Sequence, residues 1–299
     1  MVNRPRRFLL YSFAALVPAI GLLAGTAVAA SAGTVNAGTV NAGTASTHSA
    51  AAQAKAIAVA EIRKLTVGYS PTDRHVGIKS PGFKGLSDVT STNWSGYADT
   101  GSSFSNVSAK WTEPGASCSS RTTSLAAFWV GIDGYSSDSV EQDGTLIECY
   151  QRTAYHFTWW EMYPTNDVQV VGETAAAGDA ITASVVRTGT SYKLTVTDAT
   201  HTADSFSTTQ TCSASSCVDS SAEWIAEAPT GSSGVEPLTN FGTWTASSAA
   251  VTEGSTAGTI SSFTDDEITM IDSSGATKAL PGALNSAGTG FSVSWERAS

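Results

Sequence analysis

Charged side chains are scarce in this sequence: 16 Lys and Arg and 26 Asp and Glu in 299 residues, 14% of the chain. The shortage of cations and a net charge of -10 exclude a protein whose task is to hold nucleic acid electrostatically. Histidine is rarer still, four in all, and only His156 and His201 lie in the second, acidic part of the chain. A Ser-His-Asp triad therefore has few candidates for its base. The four cysteines, Cys118, Cys149, Cys212 and Cys217, form no Cys-x-x-Cys pair and have no histidine at metal-ligand spacing, so disulfides are expected rather than zinc. Four cysteines allow three pairings. The short Cys212–Cys217 loop with Cys118–Cys149 is the favoured one, and the latter bridge ends seven residues after Gln142. His-Glu-x-x-His, Gly-x-Ser-x-Gly, the phosphate-binding Gly-x-x-x-x-Gly-Lys and a dinucleotide-type glycine motif are all absent. So is the pair of Asp-Thr-Gly or Asp-Ser-Gly motifs that a two-aspartate protease needs.

Hydroxyls and aromatics are what the chain has in quantity: 42 Ser, 39 Thr and 8 Trp, with 27 Gly. That composition suits a β-rich exported protein. The charge is unevenly divided. Residues 1–86 hold 9 basic and 2 acidic side chains, net +7, whereas residues 87–299 hold 7 basic and 24 acidic, net -17. Residues 1–30 read as a signal peptide, with Arg4, Arg6 and Arg7 before an apolar run and an Ala27-Val28-Ala29 cleavage motif. Arg6-Arg7 faintly resembles a twin-arginine export signal. A secreted protein with no membrane association after signal removal is expected. Residues 31–88 are a basic stretch: a low-complexity linker over 32–45, an Ala-rich amphipathic helix over 49–66 carrying Ile57, Val59, Ile62 and Leu65, then a Gly/Pro-punctuated segment with Lys79 and Lys84. This layout is that of a pro-segment ahead of a mature domain at 89–299, with the basic stretch as the domain's own partner and the mature protein a monomer.

Strand signals dominate the mature domain. Ile181, Ala183 and Val185, a turn at Gly189, then Tyr192, Leu194 and Val196 form a hairpin pattern, and 128–132, 156–163 and 291–295 read as further strands. The fold class is an all-β antiparallel sandwich of two sheets. Polar groups collect among aromatics at three places: Trp129 to Gly134 with Glu141-Gln142-Asp143-Gly144, Trp159-Trp160-Glu161-Met162-Tyr163-Pro164, and Ala222-Glu223-Trp224-Ile225-Ala226-Glu227. On pattern alone, 140–144 reads as turn polars of a hairpin. In the last block, period-two alternation puts Glu223, Ile225 and Glu227 on one face.

These blocks, with Asn93-Trp94-Ser95-Gly96 ahead of them and Pro237-Leu238 to Asn240-Phe241-Gly242 behind, resemble in order the glutamic peptidase (eqolisin) family. The resemblance implies a sandwich of two long antiparallel sheets, no cofactor, no metal, and polypeptide substrates hydrolysed in acid without pepstatin sensitivity. It implies Gln142 and Glu227 as the catalytic pair, and Trp129, Asp133 and Glu161 as substrate-site positions. Asp143 departs from the Thr common in the family, and Ala228 follows Glu227 where an acidic residue is usual. A glycoside hydrolase using Glu161 and Glu227, or a carbohydrate-binding module on a similar sandwich, is the alternative.

Overall fold

The computed structural model describes residues 42–62, 88–119, 122–212, 216–231 and 233–299. The signal-peptide reading and Lys79 and Lys84 lie outside them. One helix, α1 (Ala42–Ile62), precedes eighteen strands. These are β1 (Asp88–Ser91), β2 (Trp94–Thr100), β3 (Phe104–Thr112), β4 (Ser124–Ile132), β5 (Val140–Tyr150), β6 (Thr153–Tyr163), β7 (Asn166–Gly172), β8 (Ala180–Thr188) and β9 (Ser191–Asp198). There follow β10 (Phe206–Thr211), β11 (Ser221–Glu227), β12 (Thr230–Gly231), β13 (Gly234–Val235), β14 (Thr243–Glu253), β15 (Thr256–Gly258), β16 (Thr264–Ile271), β17 (Thr277–Pro281) and β18 (Phe291–Trp295).

Two layers result, in the order β10-β9-β8-β3-β14 and β14-β18-β17-β16-β2-β11-β4-β5-β6-β7. They are joined because β14 changes partner along its length, pairing β18 over Thr243–Ala246 and β3 over Ser247–Glu253. Apart from β1, which runs parallel to β16, the pairings are antiparallel. The fold is thus the expected antiparallel sandwich.

Alternation decides which side chains meet between the layers. Ala126, Phe128, Val130 and Ile132 of β4 and Ala222, Trp224 and Ala226 of β11 point inward, as do Ile181, Ala183 and Val185 of β8 and Tyr192, Leu194 and Val196 of β9. Trp244, on the strand shared by the layers, stacks on Phe128 with ring centroids 5.4 Å apart and meets Trp111 and Phe291 edge-on. The expected hairpin is β8–β9, and Gly189 adopts φ 64° in its turn, a conformation glycine enters without steric cost. The segment 140–144 is not a turn: β5 is a continuous strand, buried from Val140 to Cys149, because both of its neighbours, β4 and β6, pair along its whole length.

The outer face of the larger layer carries a second apolar cluster, with Trp94, Leu125, Ala127, Trp129, Leu146, Phe157, Trp159, Ile225 and Ile268. Ala58 and Val59 of α1 are buried within it. The helix begins seven residues ahead of the expected start, and the side chains it buries are Ala58 and Val59, while Ile57 is 42% exposed. Residues Ala45–Ser299 form one compact unit. No described helix is long and apolar enough to cross a membrane. Both disulfides join the favoured partners, Cys118–Cys149 and Cys212–Cys217.

Candidate active site

The register of four adjacent strands builds the site. Across β11, β4, β5 and β6 one rung runs Glu223–Gly131–Gln142–Glu161, the next Ile225–Trp129–Gly144–Trp159, the next Glu227–Ala127–Leu146–Phe157. Residues opposite one another share a face, so all of these point outward, away from the core between the layers. Glu223, Ile225 and Glu227 do share a face, as the alternation requires.

Two glycines make room on this surface. A Cβ at Gly144 would sit 2.0 Å from the Phe128 carbonyl oxygen and 2.8 Å from the Trp129 Cα. At Gly131 it would sit 2.9 Å from the Trp129 ring and 3.3 Å from the Gln142 Cβ. Gly131 therefore leaves room for the Trp129 indole and Gly144 for the close approach of the β4 backbone, and both belong to motifs read in the sequence.

Glu227 is 4% exposed. Its Oε2 accepts a 2.8 Å hydrogen bond from the Trp129 indole Nε1, and its Oε1 accepts one from Asn93 Nδ2 at 3.3 Å. Trp94 meets Trp129 edge-on at 5.0 Å. Donors on both oxygens suit an ionised carboxylate and fix its orientation. Gln142 is also buried, and its Nε2 donates to Glu161 Oε2 at 2.5 Å. Glu161 is fully buried; burial pushes its carboxyl well above the usual range, the Gln142 bond opposes that, and the negative charge of Glu227 adds to the rise. Gln142 is thus tied to a carboxyl that responds to Glu227.

The other sequence-derived residues are distributed unequally. Trp129 and Glu161 stand beside Glu227 and Gln142 as just described. Asp133 lies at the end of β4 with φ 67°, and its carboxylate accepts from the backbone N–H groups of Val218, Asp219 and Ser220 and from the Ser220 hydroxyl, all at 2.8–2.9 Å. Its bonds hold the loop that leads into β11. Asp143 points the opposite way from Gln142, into the core, where burial raises its carboxyl well above the usual range. Asn93 was assigned no role from sequence; its signal was its place in the Asn-Trp-Ser-Gly motif, but its partner lies 134 residues away.

The chain has relatives among known proteins. Over 119 residues, 38% of this chain, the sequence is 34% identical to scytalidopepsin B of Scytalidium lignicola. Over 185 residues, 55% of this chain, it is 25% identical to aspergillopepsin-2 of Aspergillus niger. The matched segments span 44% and 65% of those two proteins. Among solved structures, scytalido-glutamic peptidase bound to a peptide-based transition state analog superposes with a TM-score of 0.59, covering 69% of this chain and 98% of that one. Aspergilloglutamic peptidase of A. niger superposes with a TM-score of 0.50, covering 58% of this chain and 99% of that one. Both are 24% identical, a level at which the likeness shows the fold alone. The sequence pattern of the Peptidase A4 family matches residues 92–294, from the residue before Asn93 to the next-to-last residue of β18, and the chain belongs to that family.

Proposed function

We propose that this protein is a secreted, acid-active endopeptidase that hydrolyses peptide bonds with water as the nucleophile, Glu227 as general base and acid, and Gln142 as oxyanion donor. The observation that carries the reading is the Glu227 carboxylate, held by Trp129 and Asn93 on the same sheet face as the Gln142–Glu161 pair.

Peptide hydrolysis needs a base for water, a donor for the tetrahedral oxyanion and an acid for the leaving amine. Glu227 can accept from a water, take its proton and return it to the departing nitrogen. Gln142 commits one amide hydrogen to Glu161, which leaves the other for the oxyanion; a single positioned donor of this kind contributes a few kcal/mol. The raised Glu161 carboxyl is neutral in acid, so it orients Gln142 without adding a second negative charge beside the base. Trp129 walls the cleft and steadies the carboxylate.

We further propose that residues 31–88 are a pro-segment that covers this face until it is cleaved. Supporting this are Ala58 and Val59 of α1, buried in the cluster that includes Trp94, Trp129 and Ile225. The contact is apolar, so the charge asymmetry between the two parts of the chain is not its only source of attachment.

Peptide release from acid-denatured haemoglobin, with pepstatin present, tests the activity. Glu227→Gln should fold and lose at least about a hundredfold in kcat, the usual span of general base catalysis being 10²–10⁴. Retention of a tenth of wild-type turnover would remove Glu227 from the role of base.

A further inference from the structure

A second cluster of chemically capable side chains lies at the open end of the β8–β9 hairpin, in the layer that does not carry Glu227. Asp179 immediately precedes β8, Asp198 ends β9, and His201 follows in the turn before a short 3₁₀ segment, Thr202–Asp204. Hairpin pairing of Ile181 with Asp198 draws them together. One oxygen of each carboxylate and one ring nitrogen of His201 all lie within 4.8 Å of one another.

The two carboxyls are 2% and 0% exposed, and the His201 side chain is 44% exposed, so the cluster has a buried floor and an open side. Asp179 Oδ2 accepts from the backbone N–H of Ala176 and lies 2.8 Å from His201 Nδ1. Asp198 Oδ1 accepts from the backbone N–H groups of Thr200 and His201. Asp198 Oδ2 is buried and receives no hydrogen bond from any N–H or O–H group. The two carboxyls nevertheless stand close enough to share a hydrogen. Two carboxyls lying together in a buried floor with an oxygen unserved call for a positive charge between them, either a shared proton or a metal ion.

We propose that Asp179, Asp198 and His201 form a binding site for a divalent transition-metal ion such as Zn²⁺. An imidazole nitrogen with two carboxylate oxygens is a ligand set for such ions, whereas Ca²⁺ takes oxygen ligands throughout. Two ligands each about 2.1 Å from one ion and roughly at right angles lie about 3 Å apart, which fits the spacing of Asp179 Oδ2 and His201 Nδ1. Three protein ligands with an exposed side leave room for water on the ion. The sequence showed no metal motif because Asp179 and Asp198 come from opposite strands of a hairpin, nineteen residues apart. Among the described residues one other group has comparable geometry, Glu141 with Cys212 and Cys217, and there the sulfurs are already joined to each other. The ion would clamp the hairpin's open end to the turn that follows it, a role in stability that is independent of peptide hydrolysis.

The test is calorimetric titration of the untagged full chain with ZnCl₂ at pH 6.5, alongside thermal melting. One equivalent should bind with micromolar or tighter affinity and raise the melting temperature. His201→Ala, at an exposed position that leaves the fold intact, should weaken binding at least tenfold and abolish the rise, and Asp198→Asn should do the same if it folds. The proposal is overturned if the wild type binds no Zn²⁺ more tightly than millimolar, which would leave a shared proton between the carboxyls. It is overturned equally if His201→Ala binds as wild type does, or if Ca²⁺ stabilises as well as Zn²⁺.

Discussion

Glu161 shows how one carboxyl can serve two ends. Buried, hydrogen-bonded by Gln142 and pushed up further by the charge of Glu227, it stays protonated where a surface glutamate has ionised. If its work is to orient Gln142 as a neutral acceptor, Glu161→Gln keeps an acceptor oxygen and loses only the charge that would appear as pH rises. Its kcat near pH 3 should stay within about threefold of wild type, and its activity should persist to higher pH. Glu161→Ala should lose about ten- to a hundredfold, because Gln142 then has no fixed orientation. Full pH–rate profiles of both variants check this; a Glu161→Gln enzyme as impaired as Glu161→Ala would mean that the ionised carboxylate itself is required. Asp143, one residue after Gln142, makes the complementary point. The strand pleat turns it into the core, so its departure from the Thr common in the family does not alter the face that carries Gln142.

Elements, more than single side chains, bring the two halves of the site together, and Asp133 is the joint. It directly follows the strand that carries Trp129, and its carboxylate receives three backbone N–H groups and a hydroxyl from the loop that opens the strand carrying Glu227. Asp133→Ala strands three buried or half-buried donors and should cost roughly 3 kcal/mol or more of stability. It should lower kcat along with affinity; a rise in KM alone, with unchanged melting temperature, would instead mark a substrate contact. The helix α1 is the other element with consequences. Val59→Asp places a charge in the apolar cluster around Trp129 and should release activity before processing, whereas Ala60→Asp, at an exposed position, should not. Activity of the unprocessed chains measures it, and equal latency in both would detach the helix from inhibition. How far these elements could be read in advance depended on their period. The β8–β9 hairpin was legible because one face is buried and one solvated. The β5 strand was not, because burial on both faces erases alternation and leaves Gln142-Asp143-Gly144 resembling a turn. The Glu227 and Gln142 motifs were legible as local patterns. The Asn93–Glu227 bond and the pairing of β14 with β3 join residues more than a hundred apart, for which a single sequence carries no local sign.

At the scale of the molecule, the distribution of acids sets the pH range in which the fold can exist. Asp99 is fully buried without a hydrogen-bond partner, and burial, with the nearby charges of Asp265 and Glu253, pushes its carboxyl up to about 9. Burial likewise raises Glu141, Asp143, Glu161 and Glu223 well above the usual range. Each is neutral in the folded chain, while its unfolded counterpart ionises above about pH 4. Their contribution to stability is therefore complete below pH 4. It declines by about 1.4 kcal/mol per pH unit for each group as pH rises towards the folded value. Asp179, which burial raises but the contact with His201 and the bond from the Ala176 N–H lower overall, acts in the other direction and weakens the fold only as pH falls below its unfolded value near 4. Asp198, Asp219 and Asp265 are raised as well and Asp272 is lowered, so eight raised carboxyls against two lowered ones place the maximum of stability on the acid side, and a domain stable by only about 5–15 kcal/mol cannot carry several such losses at once. Thermal melts of the mature domain between pH 3 and 8 should show the highest transition temperature near pH 4 and a steep fall above pH 6. Asp99→Asn and Asp143→Asn, which cannot ionise, should each flatten that fall without raising stability at pH 3. A melting temperature that peaks near pH 7, or asparagine variants that stabilise equally at every pH, would show that these carboxyls find counter-charges or water in the folded protein.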